Sequence, residues 1–238
     1  MNDTLNGILV LDKPAGVSSA KALERVKRFL PDGPRSAKVG HAGTLDPFAT
    51  GVLLVLIGRA TKLCESLMDA PKTYETTVKL GATTETDDPE SPEQIAAQTT
   101  EPVSIERVRA ALPAFVGTIM QKPPVYSALK LAGRRACDRV RDGQEVELEA
   151  RPVRVYAIDL LDYAWPLLKL RIDCGRGTYI RSIARDLGAA LGIGGYLREL
   201  RRTRVGEYDL SRAATIEQLE RDDLAARLLP MPSATSPS

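Results

Sequence analysis

The longest unbroken aliphatic run in this sequence, Val52 to Ile57, is six residues. A membrane-crossing helix needs about 20 consecutive apolar residues, so the chain is expected to bury its apolar side chains against one another. A run of this length reads as a buried strand. Gly7 to Leu11 reads as another. Ser18 or Ser19 can cap a helix with apolar positions Leu23, Val26 and Leu30, ended by the segment Pro31 to Pro34. Tyr74, Thr76, Val78 and Leu80 alternate with Glu75, Thr77 and Lys79, the pattern of a half-buried strand. Ile105, Val108 and Leu112 predict a helix stopping near Pro113, and residues 152–161 and 167–174 predict two strands joined at Trp165-Pro166. Ile180, Ile183, Ala184, Leu187 and Leu191 form a helical stripe with Thr178 as its cap. A last helix is expected over about Ile216 to Leu229, followed by a disordered tail. Strands and helices mixed without regular alternation predict an α+β fold with a largely antiparallel sheet.

Several chemistries are disfavoured at once. Cys64, Cys137 and Cys174 are widely spaced, which argues against a disulfide framework and a cysteine-held zinc. A single histidine, His41, excludes two-histidine metal motifs. No G-x-S-x-G, G-x-x-x-x-G-K-[ST] or G-x-G-x-x-G occurs, so nucleophile-elbow hydrolases, P-loop enzymes and dinucleotide enzymes are disfavoured. The N-terminus lacks the basic-then-apolar pattern of a secretory signal, and the expected location is the cytoplasm.

The net charge of +2 says little about partners, but its distribution is uneven. Residues 85–106 carry seven acidic side chains and no basic one, whereas residues 121–141 and 176–204 each carry a net of +5. Such blocks predict a sided molecule with a polyanion as partner.

The candidate chemistry begins in residues 40–51, GHAGTLDPFATG, whose three glycines and one proline predict a loop. Asp46 sits there between Leu45 and Pro47. Aspartate before proline commonly just starts a turn, but glycines also let backbone approach a ligand, and a carboxylate in such a loop is a candidate nucleophile or base. Arg181 falls in the first turn of the helix after Thr178, where the macrodipole disfavours a cation by up to about 1 kcal/mol. An exposed face tolerates that cost, and a guanidinium serving an adjacent carboxylate or phosphate also explains it; removal is expected to cost little stability. Tyr179 projects near the same helix end. Tyr74 lies on the apolar face of its strand, where burial is the ordinary fate. A tyrosine can also stack on a base or move a proton, and the pattern alone does not separate Tyr74 from Tyr126 or Tyr196.

The segments LDKPAGVSS (11–19), GHAGTLDPFATGVL (40–53), KTYE (72–75), PPVYSALK (123–130), RPVRVY (151–156), CGRGTYIRSIARDLG (174–188) and YLRELRR (196–202) occur in one order. In these the chain resembles the bacterial tRNA pseudouridine synthase B family over roughly residues 7–230. The resemblance implies a pseudouridine synthase fold and an isomerase that converts uridine 55 in the T-loop of tRNA. It implies that Asp46 is the catalytic nucleophile, that Arg181 pairs with that carboxylate, and that Tyr74 stacks on the target base and is the candidate general base. It further implies that His41 helps hold the flipped-out state, that Tyr179 contacts the nucleotide, and that Leu200 lines the base pocket. The basic stretch 121–150 matches an insertion that clasps the T-arm. Family chemistry needs no metal and no cofactor, and a monomer with tRNA as partner, away from any membrane, is the expectation.

In this isomerisation the C1′–N1 bond breaks, the base rotates, and a C1′–C5 bond forms. The carboxylate adds at C6, attacks C1′, or supports a glycal route. Extruding the base costs a few kcal/mol, offset in part by stacking worth about 1–3 kcal/mol. An RNA-binding or tRNA-folding protein on the same fold is the alternative, although a pure binder would not need Asp46, Tyr74 and Arg181 together. An unrelated hydrolase would lack a second acid in the Asp46 loop. Longer members of the family continue into a small PUA-type domain. Here one catalytic domain over residues 1–230 is expected, with 231–238 as tail and no room for that extension.

Overall fold

In the computed structural model the aliphatic run lies in a strand covered on both faces, the environment that demands an unbroken apolar sequence. The structure describes residues 5–31, 33–95, 101–127, 130–131, 134–135, 142, 146 and 148–231. Along the chain come β1 (Gly7–Lys13), α1 (Ser19–Lys27), β2 (Val39–Ala42), β3 (Thr50–Ile57), α2 (Cys64–Asp69), β4 (Lys72–Leu80), β5 (Ala82–Thr84) and β6 (Glu93–Ile95). There follow α3 (Ile105–Ala111), β7 (Gly117–Gln121), β8 (Lys130–Leu131), β9 (Arg134–Arg135), β10 (Arg151–Ala164) and β11 (Leu167–Cys174). The remaining elements are α4 (Ile180–Ala190), β12 (Gly195–Val205), β13 (Tyr208–Asp209) and α5 (Ile216–Leu219). Two compact units are formed, Met1–Thr73 with Arg201–Ser238, and Tyr74–Leu200.

In the first unit β3 pairs antiparallel with β1 and with β2, and parallel with the end of β12 at Arg201↔Thr50 and Arg202↔Gly51. Side chains alternate across a strand. Leu9, Leu11, Leu53, Val55 and Ile57 therefore share one core with Ala22, Leu23 and Val26 of α1 and with Ile216 and Leu219 of α5. Ile8, Val10, Val52, Leu54 and Leu56 join Ala42, Leu67, Val205 and Tyr208 in a second core on the other face. Helix α1 starts where Ser18 accepts a hydrogen bond from the Lys21 amide, satisfying one of the free N–H groups of the first turn. Gly51 has φ +98°, and a Cβ there would sit 2.2 Å from the Arg202 carbonyl oxygen, so only glycine fits where β3 meets β12.

In the second unit the strand order is β12-β4-β11-β10-β7. Strands β10 and β11 form the expected hairpin around Trp165-Pro166, a cis peptide. Sheet and helices together form the expected α+β fold, but five local expectations are corrected. The loop 40–51 is shorter, because residues 39–42 pair with β3 and put His41 on a strand. Strand β4 is more buried than half, with Thr73 and Thr77 of its other face covered as well as Tyr74, Thr76, Val78 and Leu80. The acidic stretch, where Pro89, Pro92 and Pro102 predict a loop or an insertion, contributes β6 to a small antiparallel pair with β5. The cap of α4 is Tyr179, while the Thr178 hydroxyl donates to the Arg154 carbonyl. The last helix stops at Leu219, and a separate 3-10 turn covers Leu224–Arg227. Cys137, the tail from residue 232 and most of the basic insertion lie outside the described residues.

Candidate active site

Asp46 lies half-buried in the seven-residue connection between β2 and β3, and buried side chains hold the backbone on either side of it. The Ser19 hydroxyl donates to the Leu45 carbonyl and accepts from the Leu45 amide, both at 2.9 Å. The Arg202 guanidinium donates to the carbonyls of Val52 at 2.7 Å, Gly43 at 2.9 Å and Thr44 at 3.5 Å. The Lys13 ammonium donates to the carbonyls of Pro14, Val17 and Pro47 at 2.9, 2.7 and 3.2 Å, and the Gly16 amide reaches Pro47 as well. Strands and helices satisfy their own backbone groups, but a loop cannot. Here side chains from β1, α1 and β12 take over, which fixes the loop before any ligand arrives.

His41, on β2 in the same unit, has its Nδ1 buried with no hydrogen-bond partner among the described residues. Burial first, and then the charge of Arg202, lower its pKa from the ordinary value near 6.5. Both influences favour the neutral imidazole. Because His41 is the only histidine, its ring resonances in an NMR pH titration report this group alone. The midpoint is expected below 6.5. The unfolded chain then takes up a proton before the folded one does, so stability is retained above the unfolded pKa and declines as pH falls from there through the folded pKa. A midpoint above 6.5 would contradict this placement.

Tyr74, Tyr179, Arg181 and Leu200 all belong to the second unit. Tyr74 is buried on β4 and Leu200 on β12, neighbouring strands that are also linked by Thr76 donating to the Glu199 carbonyl at 2.7 Å. Tyr179 and Arg181 sit together at the start of α4. The buried Gln121 amide brackets Tyr179, accepting from its N–H at 2.8 Å and donating to its C=O at 3.1 Å. Ser182 donates to the Lys122 carbonyl at 2.9 Å, anchoring the same first turn.

Arg181 is 4% exposed and forms a 3.0 Å ion pair with Asp88, itself almost fully buried. It also donates to the carbonyls of Thr86 at 3.1 Å and Tyr126 at 3.0 Å. Asp88 was not singled out from the sequence, where it is one of seven acids in a block. Other members of that block form ion pairs as well. Asp87 pairs with Arg185, and Glu93 with Lys79, so part of the acidic segment neutralises residues of its own unit. Burial, the largest influence, nevertheless raises the Asp87 pKa against the opposing effect of Arg185.

Two further tyrosines bond to carboxylates of the acidic segment. The Tyr196 hydroxyl donates to Glu93 at 2.8 Å, and burial followed by that carboxylate pushes its pKa up to about 12. The Tyr126 hydroxyl donates to Glu85. Both phenols are thus tied to carboxylates of the acidic segment.

Comparison with known proteins agrees with these features. Residues 28–180 match the family model described as TruB family pseudouridylate synthase (N terminal domain), and residues 181–235 match the tRNA pseudouridylate synthase B C-terminal domain. A protein named tRNA pseudouridine synthase B from Aromatoleum aromaticum is 47% identical over 218 residues, covering 91% of this chain and 68% of the relative. One of the same name from Corynebacterium diphtheriae is 43% identical over 233 residues, covering 92% and 75%. Among solved structures, a chain of a Cbf5-Nop10-Gar1 complex matches at 30% identity with a TM-score of 0.67, covering 89% of this chain and 52% of that one. A chain of an H/ACA RNP bound to a substrate RNA containing 2′-deoxyuridine matches at 25% identity and TM-score 0.66, covering 93% and 57%. This chain thus spans between half and three fifths of those solved chains. With a family model over most of its length and relatives above 40% identity along nine tenths of it, the chain belongs to the TruB family of pseudouridylate synthases.

Proposed function

We propose that this chain isomerises uridine 55 in the T-loop of tRNA to pseudouridine, acting as a monomer in the cytoplasm without metal or cofactor. The observation that carries this reading is the Asp46 loop: a half-buried carboxylate on a backbone already fixed by Lys13, Ser19 and Arg202. The names of the relatives support tRNA as the substrate. In this reading the target base is flipped out of the T-loop, Tyr74 stacks on it, and Leu200 gives apolar cover. The two together offset part of the cost of unstacking. Asp46 provides the carboxylate for cleavage of C1′–N1, Arg181 keeps that carboxylate ionised and aimed, and Tyr179 contacts the nucleotide. His41, neutral, helps hold the extruded state. After C5 has bonded to C1′, the C5 proton leaves to the Tyr74 phenol oxygen or through it.

A T-arm stem-loop offers the minimal test. The reading expects pseudouridine at position 55 of the stem-loop and none when that uridine is replaced by cytidine. Product at another uridine, or none in either RNA, would refute it.

Tyr74→Phe keeps the stacking face and removes the hydroxyl. RNA binding near the wild-type value and a rate loss of about 10²-fold or more are expected, the scale of general-base catalysis. An unchanged single-turnover rate would reduce Tyr74 to a platform.

Arg134 and Arg135, in the basic insertion matched to the T-arm clasp, are expected to contact phosphates. Neutralising both should flatten the slope of log K against log salt by up to about two, because each phosphate contact releases about one counterion. An unchanged slope would place them away from the RNA.

A further inference from the structure

Arg202 is 1% exposed, and among the described residues no carboxylate pairs with it. Taking an unneutralised guanidinium out of water is costly, and an apolar side chain of similar volume would avoid that cost. What the charge gains is a set of carbonyls at both ends of one loop: Gly43 and Thr44 where the chain leaves β2, and Val52 just after it has entered β3. The fork reaches them because β12 runs parallel to β3 with Arg202 opposite Gly51. Gly43, with φ +87°, turns so that a Cβ would lie only 3.4 Å from the Arg202 Nη1.

Ser19 approaches the loop from α1 and is 2% exposed. Its hydroxyl engages both the N–H and the C=O of Leu45, the residue immediately before Asp46, and the Leu45 side chain is itself buried. The peptide leading into Asp46 is therefore fixed in orientation on both of its polar groups.

We propose that Arg202 and Ser19 are positioning residues that clamp the backbone of residues 43–45 and so set the direction of the Asp46 carboxylate. This rests on the reading of Asp46 as the catalytic carboxylate. Neither side chain needs to touch the RNA. Their contribution is geometric, and a displacement of about 1 Å at a reacting group can cost about 100-fold in rate.

The test compares full-length Ser19→Ala, Arg202→Lys, Arg202→Met and Asp46→Asn chains for melting temperature, tRNA affinity and single-turnover pseudouridine formation. Ser19→Ala and Arg202→Met are expected to bind tRNA within about twofold of wild type, because phosphate contacts dominate affinity. Both are expected to lose rate by about 10–100-fold. Arg202→Lys, which keeps the charge and some of the donors, should fall between Arg202→Met and wild type. A merely structural role would lower the melting temperature and leave the rate of the folded fraction unchanged. Wild-type single-turnover rates in folded Ser19→Ala and Arg202→Met would overturn the proposal, and if Arg202→Met fails to fold, Ser19→Ala and Arg202→Lys decide it. Turnover by Asp46→Asn would instead overturn the reading of Asp46, so the two failures are distinct.

Discussion

Asp46→Asn is expected to bind tRNA as the wild-type chain does and to form no measurable pseudouridine. The substitution is nearly isosteric, and the loop that presents it is held through backbone groups, by Ser19 at Leu45, by Arg202 at Gly43 and Thr44, and by Lys13 at Pro47. None of these contacts uses the Asp46 carboxylate, so the loop should keep its path. An amide neither adds to the base nor attacks the ribose, and it cannot carry the charge needed to support a glycal route. The loss should be at least about 10⁴-fold, the scale seen when a covalent nucleophile is removed. Affinity should hold because RNA binding is dominated by phosphate contacts. Multiple turnover by a clean Asp46→Asn preparation would remove Asp46 from the chemistry.

Arg181 gives the second large effect, and here the structure reverses an expectation. Position in the first turn of α4, where the dipole disfavours a cation, predicts that Arg181→Ala costs little stability. Instead Arg181 is buried against Asp88, so truncation leaves a carboxylate that is 2% exposed without its ion-pair partner. Breaking a buried pair in this way costs about 3–5 kcal/mol, and Arg181→Ala should show a lowered melting temperature together with lost activity. Arg181→Lys keeps a charge beside Asp88 but loses the planar fork that also reaches Thr86 and Tyr126. It should fold and lose rate by about 100-fold. A double-mutant cycle on kcat with Asp46→Glu, run at a level of activity that can be measured, is expected to be non-additive. Additive losses would reassign Arg181 to a separate task such as a phosphate contact.

Much of this was legible in residue order because it is local. Val52 to Ile57 is apolar throughout because both faces of β3 are covered, and the stripe from Ile180 to Leu187 marks α4 because one face of that helix is buried. The GTLDP segment marked the Asp46 loop through its turn chemistry. Partners far apart in sequence were not legible. Asp88 lies 93 residues from Arg181, and it stands in an acidic block whose members look alike until burial selects one. Arg202 reads as one of seven arginines in a basic segment, and only the parallel pairing of β12 with β3 turns it inward beneath the loop. Glycines at 40 and 43 predict a loop at His41, but pairing with Val55 overrides that local signal. The cap of α4 was misassigned for a related reason. Thr178 has the side chain to cap a helix, yet its hydroxyl is engaged by Arg154, and the bracket on Tyr179 comes from Gln121 on another strand.

Release of tritium from C5 measures the central claim most directly, since the C5 hydrogen is lost only when C5 becomes the glycosidic carbon. Unmodified tRNA carrying [5-³H]uridine would be incubated with wild type and with Asp46→Asn, and the site of any pseudouridine mapped. The expected result is one equivalent of tritium released per tRNA by wild type, with pseudouridine at position 55, and none from Asp46→Asn at equal occupancy of the RNA. Tight binding of tRNA by wild type without tritium release, or stoichiometric release by Asp46→Asn, would contradict the account.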